Sequence, residues 1–128
     1  MKEIITSEKG PKAAGPYSPV VRQNGFVFIS GQIPLDPLTG QLVTGPIEAQ
    51  AERVLENLKT LLEAAGLSLD DVVKTTVFLK DMENFSRMNA TYGKYFNTNP
   101  PARSTIEVAR LPRDVGIEIE LIAADNRR

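Results

Sequence analysis

The sequence of 128 residues contains no histidine, no cysteine and no tryptophan. Without the first two, Cys/His metal sites cannot be built, and neither can Ser-His-Asp or Cys-His nucleophile systems. No disulfide can form, and a cytoplasmic home is the default expectation for such a chain. The phosphate-cradling patterns G-x-G-x-x-G and G-x-x-x-x-G-K-[ST] are missing, as is calcium-loop spacing. There is no basic run, and the net charge is -1, so the electrostatic footprint of a general nucleic-acid binder is not there. No stretch approaches the roughly 20 apolar residues that span a bilayer. The opening "MKEIITSEKG" has no apolar h-region, so no secretory signal is expected. Any catalysis must come from arginine, carboxylates, hydroxyls, amides and backbone groups.

What is there is an ordinary globular composition, 41% hydrophobic and 24% charged, at a length that fits one domain, residues 1–128. After the loop "KAAGPYSP" comes "VVRQNGFVFISGQIP", where Asn24-Gly25 between two apolar runs signals a hairpin. The run Phe26-Val27-Phe28-Ile29 is continuous rather than alternating, as for a strand covered on both faces. "PIEAQAERVLENLKTLLEAAG" predicts an amphipathic helix: Ile47, Ala51, Val54, Leu55, Leu58, Leu61, Leu62 and Ala65 follow its period, Pro46 suits its first turn and Gly66 its stop. "DDVVKTTVFLK" reads as a strand by its β-branched content. "MENFSRMNATYGKYF" predicts a second helix with Phe85, Met88, Tyr92 and Phe96 on one face. "ARSTIEVAR" and "VGIEIELIAA" read as two more strands, antiparallel across the turn "LPRD". This order gives an α+β domain with both helices on one face of one sheet.

Within the last strand Val115, Ile117, Ile119 and Leu121 share one face, and Glu118, Glu120 and Ile122 the other. In the strand before it, Ile106 and Val108 form the apolar set, opposite Arg103, Thr105 and Glu107. If both apolar sets face the helices, Arg103 shares the far face with Glu118 and Glu120. The doubly apolar run at Phe26–Ile29, and Ile122 on the far face, call for a second cover. Another copy of the chain is the simplest one, with Arg103 and Glu118 at its seam.

The segments "GPYSP", "ISGQIP", "KTTVFLKDM", "NATY", "PARS" and "IEIELIA", in that order and spacing, resemble the reactive-intermediate deaminases, the YjgF or RidA group. The likeness runs from about residue 3 to residue 125. It implies a chorismate-mutase-like fold, a mixed sheet with two helices on one face, and a homotrimer with ligand clefts between subunits. It also implies hydrolysis of 2-enamine and 2-imino acids to 2-oxo acids and ammonia, with no metal and no organic cofactor. In that family frame Arg103 binds the substrate carboxylate, for which its planar fork is suited. Glu118 orients and deprotonates the attacking water.

The same resemblance places Tyr17 beside the ligand, Ser30 and Gly31 at its carboxylate end, and Asn89 at the cleft. Thr105, where many members have cysteine, offers its backbone carbonyl near the imine nitrogen. Plainer roles stand beside these. Asn89 could be a buried amide bonded to backbone, Tyr17 a loop anchor, Ser30 a strand-end hydroxyl, and Gly31 a site of unusual backbone angle. Glu120 reads as a structural or interface carboxylate. Two other functions compete with the deaminase: a non-catalytic 2-oxo acid binding module, and an endoribonuclease or translation inhibitor. The last has no histidine acid–base pair and no basic patch to support it.

Overall fold

The computed structural model describes residues 1–126. Its elements are β1 (Glu3–Ile5), β2 (Val20–Gln23), β3 (Phe26–Gln32), α1 (Ile47–Ala64), β4 (Val72–Leu79), α2 (Phe85–Tyr95), β5 (Ala102–Glu107) and β6 (Ile117–Ala124). They form an α+β domain built on one six-stranded sheet of order β1-β2-β3-β6-β4-β5. All neighbours are antiparallel except β4 and β5, so the sheet is mixed. No helix among the described residues is long and apolar enough to cross a membrane.

α1 forms where the apolar period demands it. Ile47, Ala51, Val54, Leu55, Leu58, Leu61 and Leu62 are all buried, against β3 and β6. Pro46 begins the helix in extended geometry, and Gly66 at φ 76° lets the chain turn away where an L side chain would be strained. Two buried or half-buried amides tie this helix to the loop after β3 and to the residue preceding β6. Asn57 donates to Leu35 O at 2.8 Å. Gln50 accepts from Gly116 N and donates to Gly45 O, both at 2.9 Å. α2 adds Met88 and Tyr92 to the same core, with Phe96 just beyond its end. Phe85, expected with them, is exposed at the first turn.

The last strand alternates as expected: Ile117, Ile119, Leu121 and Ala123 are buried under the helices, while Glu118, Glu120 and Ile122 face the other way. The hairpin at Asn24-Gly25 is present, with both residues at positive φ. β3 alternates too. Val27 and Ile29 enter the core, whereas Phe26 and Phe28 stand 46% and 42% exposed on the far face. Within one chain that face is uncovered.

Two expectations are corrected. β5 and β6 do run antiparallel, but they are not neighbours, because β4 lies between them. The face assigned to Arg103 is also reversed. Its partner across the ladder is Thr75, whose own partner on β6 is the core residue Leu121. Ile106 instead pairs with Phe78, which pairs with Glu118. Directly opposed residues point to the same side of a sheet, so Arg103 faces the helices and Ile106 faces away with Glu118. The cause is position. β5 is an edge strand, and its helix side is closed by Tyr92 and Phe85 of α2 rather than by its own apolar residues. Ile106, 45% exposed, was never core. One short strand was missed altogether: β1, three residues with an exposed or half-buried pattern, carries no periodic signal.

Candidate active site

The residues singled out in the sequence fall into two groups, one on each side of the sheet. On the far side, Ser30 and Gly31 occupy an irregularity in β3. The ladder with β6 runs from Ile29↔Leu121 to Gln32↔Ile119, so two residues of β3 oppose the single residue Glu120. A bulge of this kind re-aims side chains and is common beside sites. Glu118 extends across Gly31. A Cβ built on Gly31 would overlap Glu118 Oε2 and come within 2.9 Å of its Cδ. Gly31 is not among the glycines at positive φ, so its smallness serves the carboxylate above it and not an unusual backbone angle.

Tyr17, Ser30, Gly31, Glu118, Glu120 and Arg113 border one cleft of about 480 Å³. Ser30 Oγ donates to Ser18 O at 2.7 Å, leaving its lone pairs free. Tyr17 Oη accepts from Ala14 N at 3.3 Å while its ring is half exposed. Burial, and secondly the like charge of Glu120, push the Glu118 carboxyl above the usual glutamate value. Such a group is a better base than an ordinary surface carboxylate. Arg113 was not singled out by sequence. It sits at φ 53° beside Asp114 at φ 58° in the turn before β6, and its type and position in "LPRD" gave no signal.

Arg103, Thr105 and Asn89 make the second group, under α2. The Arg103 guanidinium carbon lies 4.7 Å from the Tyr92 ring centroid and 5.6 Å from that of Phe85. Contacts of this type contribute about 0.5–2 kcal/mol depending on desolvation. No carboxylate among the described residues forms an ion pair with Arg103. Asn89 Oδ1 and Thr105 Oγ1 are buried and have no hydrogen-bond partner. Asn89 shares the helix face of Phe85 and Tyr92 by its spacing of four and three residues. The group thus holds an unpaired cation, an unfilled acceptor and an unfilled hydroxyl, in a place where unmet polar atoms are costly. Tyr92 is both a core residue and a border of this group, and the place of Asn89 beside Phe85 and Tyr92 on the apolar side of α2 is the sequence signal for a polar site there.

A mixed sheet with an acidic cleft on one face and an unpaired arginine under the helix on the other now has its relatives. A family model described as Endoribonuclease L-PSP matches residues 7–125, and the chain belongs to that family, the YjgF/RutC/RidA proteins. A RutC family protein of Pyrococcus horikoshii is 56% identical over 123 residues, covering 96% of this chain and 98% of its own. The 2-iminobutanoate/2-iminopropanoate deaminase of Salmonella typhimurium is 52% identical over 126 residues, covering 96% and 98%. Among solved structures, the Escherichia coli YjgF gene product superposes with a TM-score of 0.91 at 49% identity, over 98% of this chain and 99% of its own. E. coli TdcF with bound serine also gives 0.91, at 43% identity and coverage of 95% and 98%.

Gly31 supplies a test of the far-side cleft. Gly31→Ala is expected to fold with stability within about 1 kcal/mol of the parent, since only the flexible end of Glu118 must move. Any reaction that uses the Glu118 carboxylate is expected to slow in Gly31→Ala to within a few-fold of a variant carrying Gln at position 118. Melting temperature and turnover, measured together, check this. Full activity in the alanine variant would show that the Glu118 position above Gly31 is unimportant.

Proposed function

We propose that the chain hydrolyses small 2-imino acids to 2-oxo acids and ammonia, in clefts between copies of itself in a homotrimer. The observation that carries this reading is the separation of Arg103 and Glu118 on opposite faces of one sheet. A ligand with a carboxylate one bond from its reacting carbon cannot reach both within a single chain. Each half is chemically incomplete, and the two halves complement each other. Arg103 with Asn89 and Thr105 offers a carboxylate clamp and acceptors for an N–H. The neighbouring copy offers Tyr17, Ser30, Gly31 and a Glu118 of raised basicity. The uncovered Phe26, Phe28 and Ile106 give the copies an apolar surface to bury. The name of the Salmonella relative, and serine bound to TdcF, an amino acid with the same carboxylate and nitrogen frame, support the substrate class.

The chemistry needs no further groups. The enamine form first takes a proton from solvent at its β carbon and becomes the iminium, whose carbon is already electrophilic. Arg103 fixes the carboxylate bidentately, which sets the imine carbon in place. Water held by Glu118 adds to that carbon, forming a C–O bond while Glu118 takes its proton. The proton passes to the nitrogen of the carbinolamine. The C–N bond then breaks, the hydroxyl gives its proton to Glu118 as the carbonyl forms, and ammonia and the 2-oxo acid leave, Glu118 returning that proton to solvent. Asn89 Oδ1 suits the N–H of the imine, the donor it lacks in the free chain.

The test is ammonia release from 2-iminopropanoate generated in the assay by an amino acid oxidase acting on alanine. The protein is expected to accelerate release over the spontaneous reaction and to scatter light as a particle near three times the 14.0 kDa chain. Binding of 2-oxo acids without any acceleration would instead identify a sensor, and a monomer would remove the shared cleft.

A further inference from the structure

We propose that Tyr92, pinned through its hydroxyl to Thr75, is a positioning residue that holds the Arg103 guanidinium ready for the substrate carboxylate. This rests on Arg103 being the carboxylate clamp of the proposed function. Thr75 lies directly across the ladder from Arg103. Its Oγ1 is 2.7 Å from Tyr92 Oη, in a hydrogen bond that is buried on both sides. The other face of the arrangement is also fixed, since the Tyr92 ring lies 4.8 Å from the Phe96 ring at 37°. Hydroxyl and ring contacts together leave Tyr92 one orientation. The Arg103 guanidinium rests 4.7 Å above that ring, with Phe85 at 5.6 Å as a second, more exposed neighbour.

An arginine without a carboxylate partner would ordinarily sample many rotamers, and ordering it on binding would weaken the complex. Held against the Tyr92 ring, and interacting with its hydroxyl as well, the guanidinium is confined to one region of the site and still has further N–H groups to offer a carboxylate. Burial raises the Tyr92 phenol above its ordinary value, against the opposing effects of Thr75 and Arg103. The ring therefore stays neutral and its hydroxyl stays available to Thr75. A role limited to core packing would need the ring but not the Thr75 bond. A positioning role needs both.

Pyruvate is the stable probe. Its dissociation constant would be measured by calorimetry for the wild type and for Arg103→Ala, Tyr92→Phe, Thr75→Val, the Thr75→Val/Tyr92→Phe double variant and Tyr92→Leu. The kcat and KM for 2-iminopropanoate and the melting temperature would be recorded for each. Tyr92→Phe and Thr75→Val are each expected to weaken pyruvate and raise KM about threefold, with the double variant no worse than either, because both break one bond. Tyr92→Leu is expected to weaken pyruvate about tenfold with kcat within about threefold of wild type, since Arg103 is still present to orient bound substrate and only its ordering before binding is lost. If the leucine variant does not fold, the phenylalanine–valine cycle decides alone. Binding that is abolished by Arg103→Ala but unchanged in the folded Tyr92 and Thr75 variants overturns the positioning role while leaving the clamp in place. Pyruvate binding that is indifferent to Arg103→Ala overturns both.

Discussion

Glu118→Gln is expected to cut the turnover of 2-iminopropanoate by about a hundredfold or more while leaving 2-oxo acid binding intact. Glutamine keeps the size of the side chain that lies over Gly31 and removes its charge and basicity. The loss should therefore fall on the step in which water gives up its proton. Binding should hold or tighten, because the repulsion between the Glu118 carboxylate and the ligand's own carboxylate is gone. The pH profile carries the same signature. In the proposed mechanism the active form is the carboxylate, which is present above the Glu118 pKa and lost below it. Burial and Glu120 raise that pKa above the ordinary glutamate value, so the acid limb of kcat/KM should lie at higher pH than a free glutamate would give. Glu120→Gln removes the like charge, and the limb should move to lower pH. Normal hydrolysis by Glu118→Gln, or an acid limb that ignores Glu120, would take Glu118 out of the mechanism.

Much of this arrangement was legible in the residues, and the limits of that legibility are physical. The seven buried apolar positions of α1 between Ile47 and Leu62, and the alternation of β6, are local periodicities, and local periodicity reports which residues share a face. It does not report which strands are neighbours. β5 follows α2 and precedes β6 in the chain, yet it pairs with β4 in parallel, a long-range choice that no turn residue announces. Nor does alternation say which face of an edge strand meets the helices. Ile106 is the apolar residue expected to point β5 at the helices, with Val108 just beyond its end, but the helix side goes to Arg103 and Thr105 because aromatic rings from α2 cover that side.

The same limits apply to the site. The P-A-R-S and I-E-I segments identified both charged residues, but their separation by the thickness of the sheet became visible only through the pairings Arg103↔Thr75↔Leu121 and Ile106↔Phe78↔Glu118. The reason for glycine at position 31 lies in a side chain 87 residues later in the chain, at Glu118. Contacts of that range leave no trace in spacing. The link between Thr75 and Tyr92 is of the same kind, a pair of polar groups placed inside otherwise apolar segments. The continuous apolar run of β3 places Phe26 and Phe28 outward, where one chain leaves them exposed.

That uncovered face leads to the most demanding expectation, recovery of activity from two inactive proteins. Arg103→Ala removes the clamp and Glu118→Gln removes the base, so each variant alone should be nearly inactive. If each cleft takes Arg103 from one copy and Glu118 from the next, the contact is head-to-tail and three copies close a ring. Every mixed trimer then contains one junction where an intact Arg103 half meets an intact Glu118 half. Random mixing at equal amounts should restore about a quarter of the wild-type sites, because about three-quarters of the trimers are mixed and each has one good cleft in three. The two variants would be unfolded together and refolded so that subunits exchange, with native mass spectrometry counting the mixed species. KM in the mixture should equal that of the wild type, since the restored clefts are wild type in both halves, and kcat per chain should be reduced by the fraction of good sites. Variants built the other way, with Arg103→Ala and Glu118→Gln in the same chain and mixed with wild type, should lose activity only in proportion to the clefts that receive a damaged half. A mixture that contains the mixed trimers yet stays inactive would mean that both residues must come from one chain. The positions of Arg103 and Glu118 on opposite faces of the sheet argue against that outcome, because no side-chain rotation carries either group through the paired backbone of the sheet.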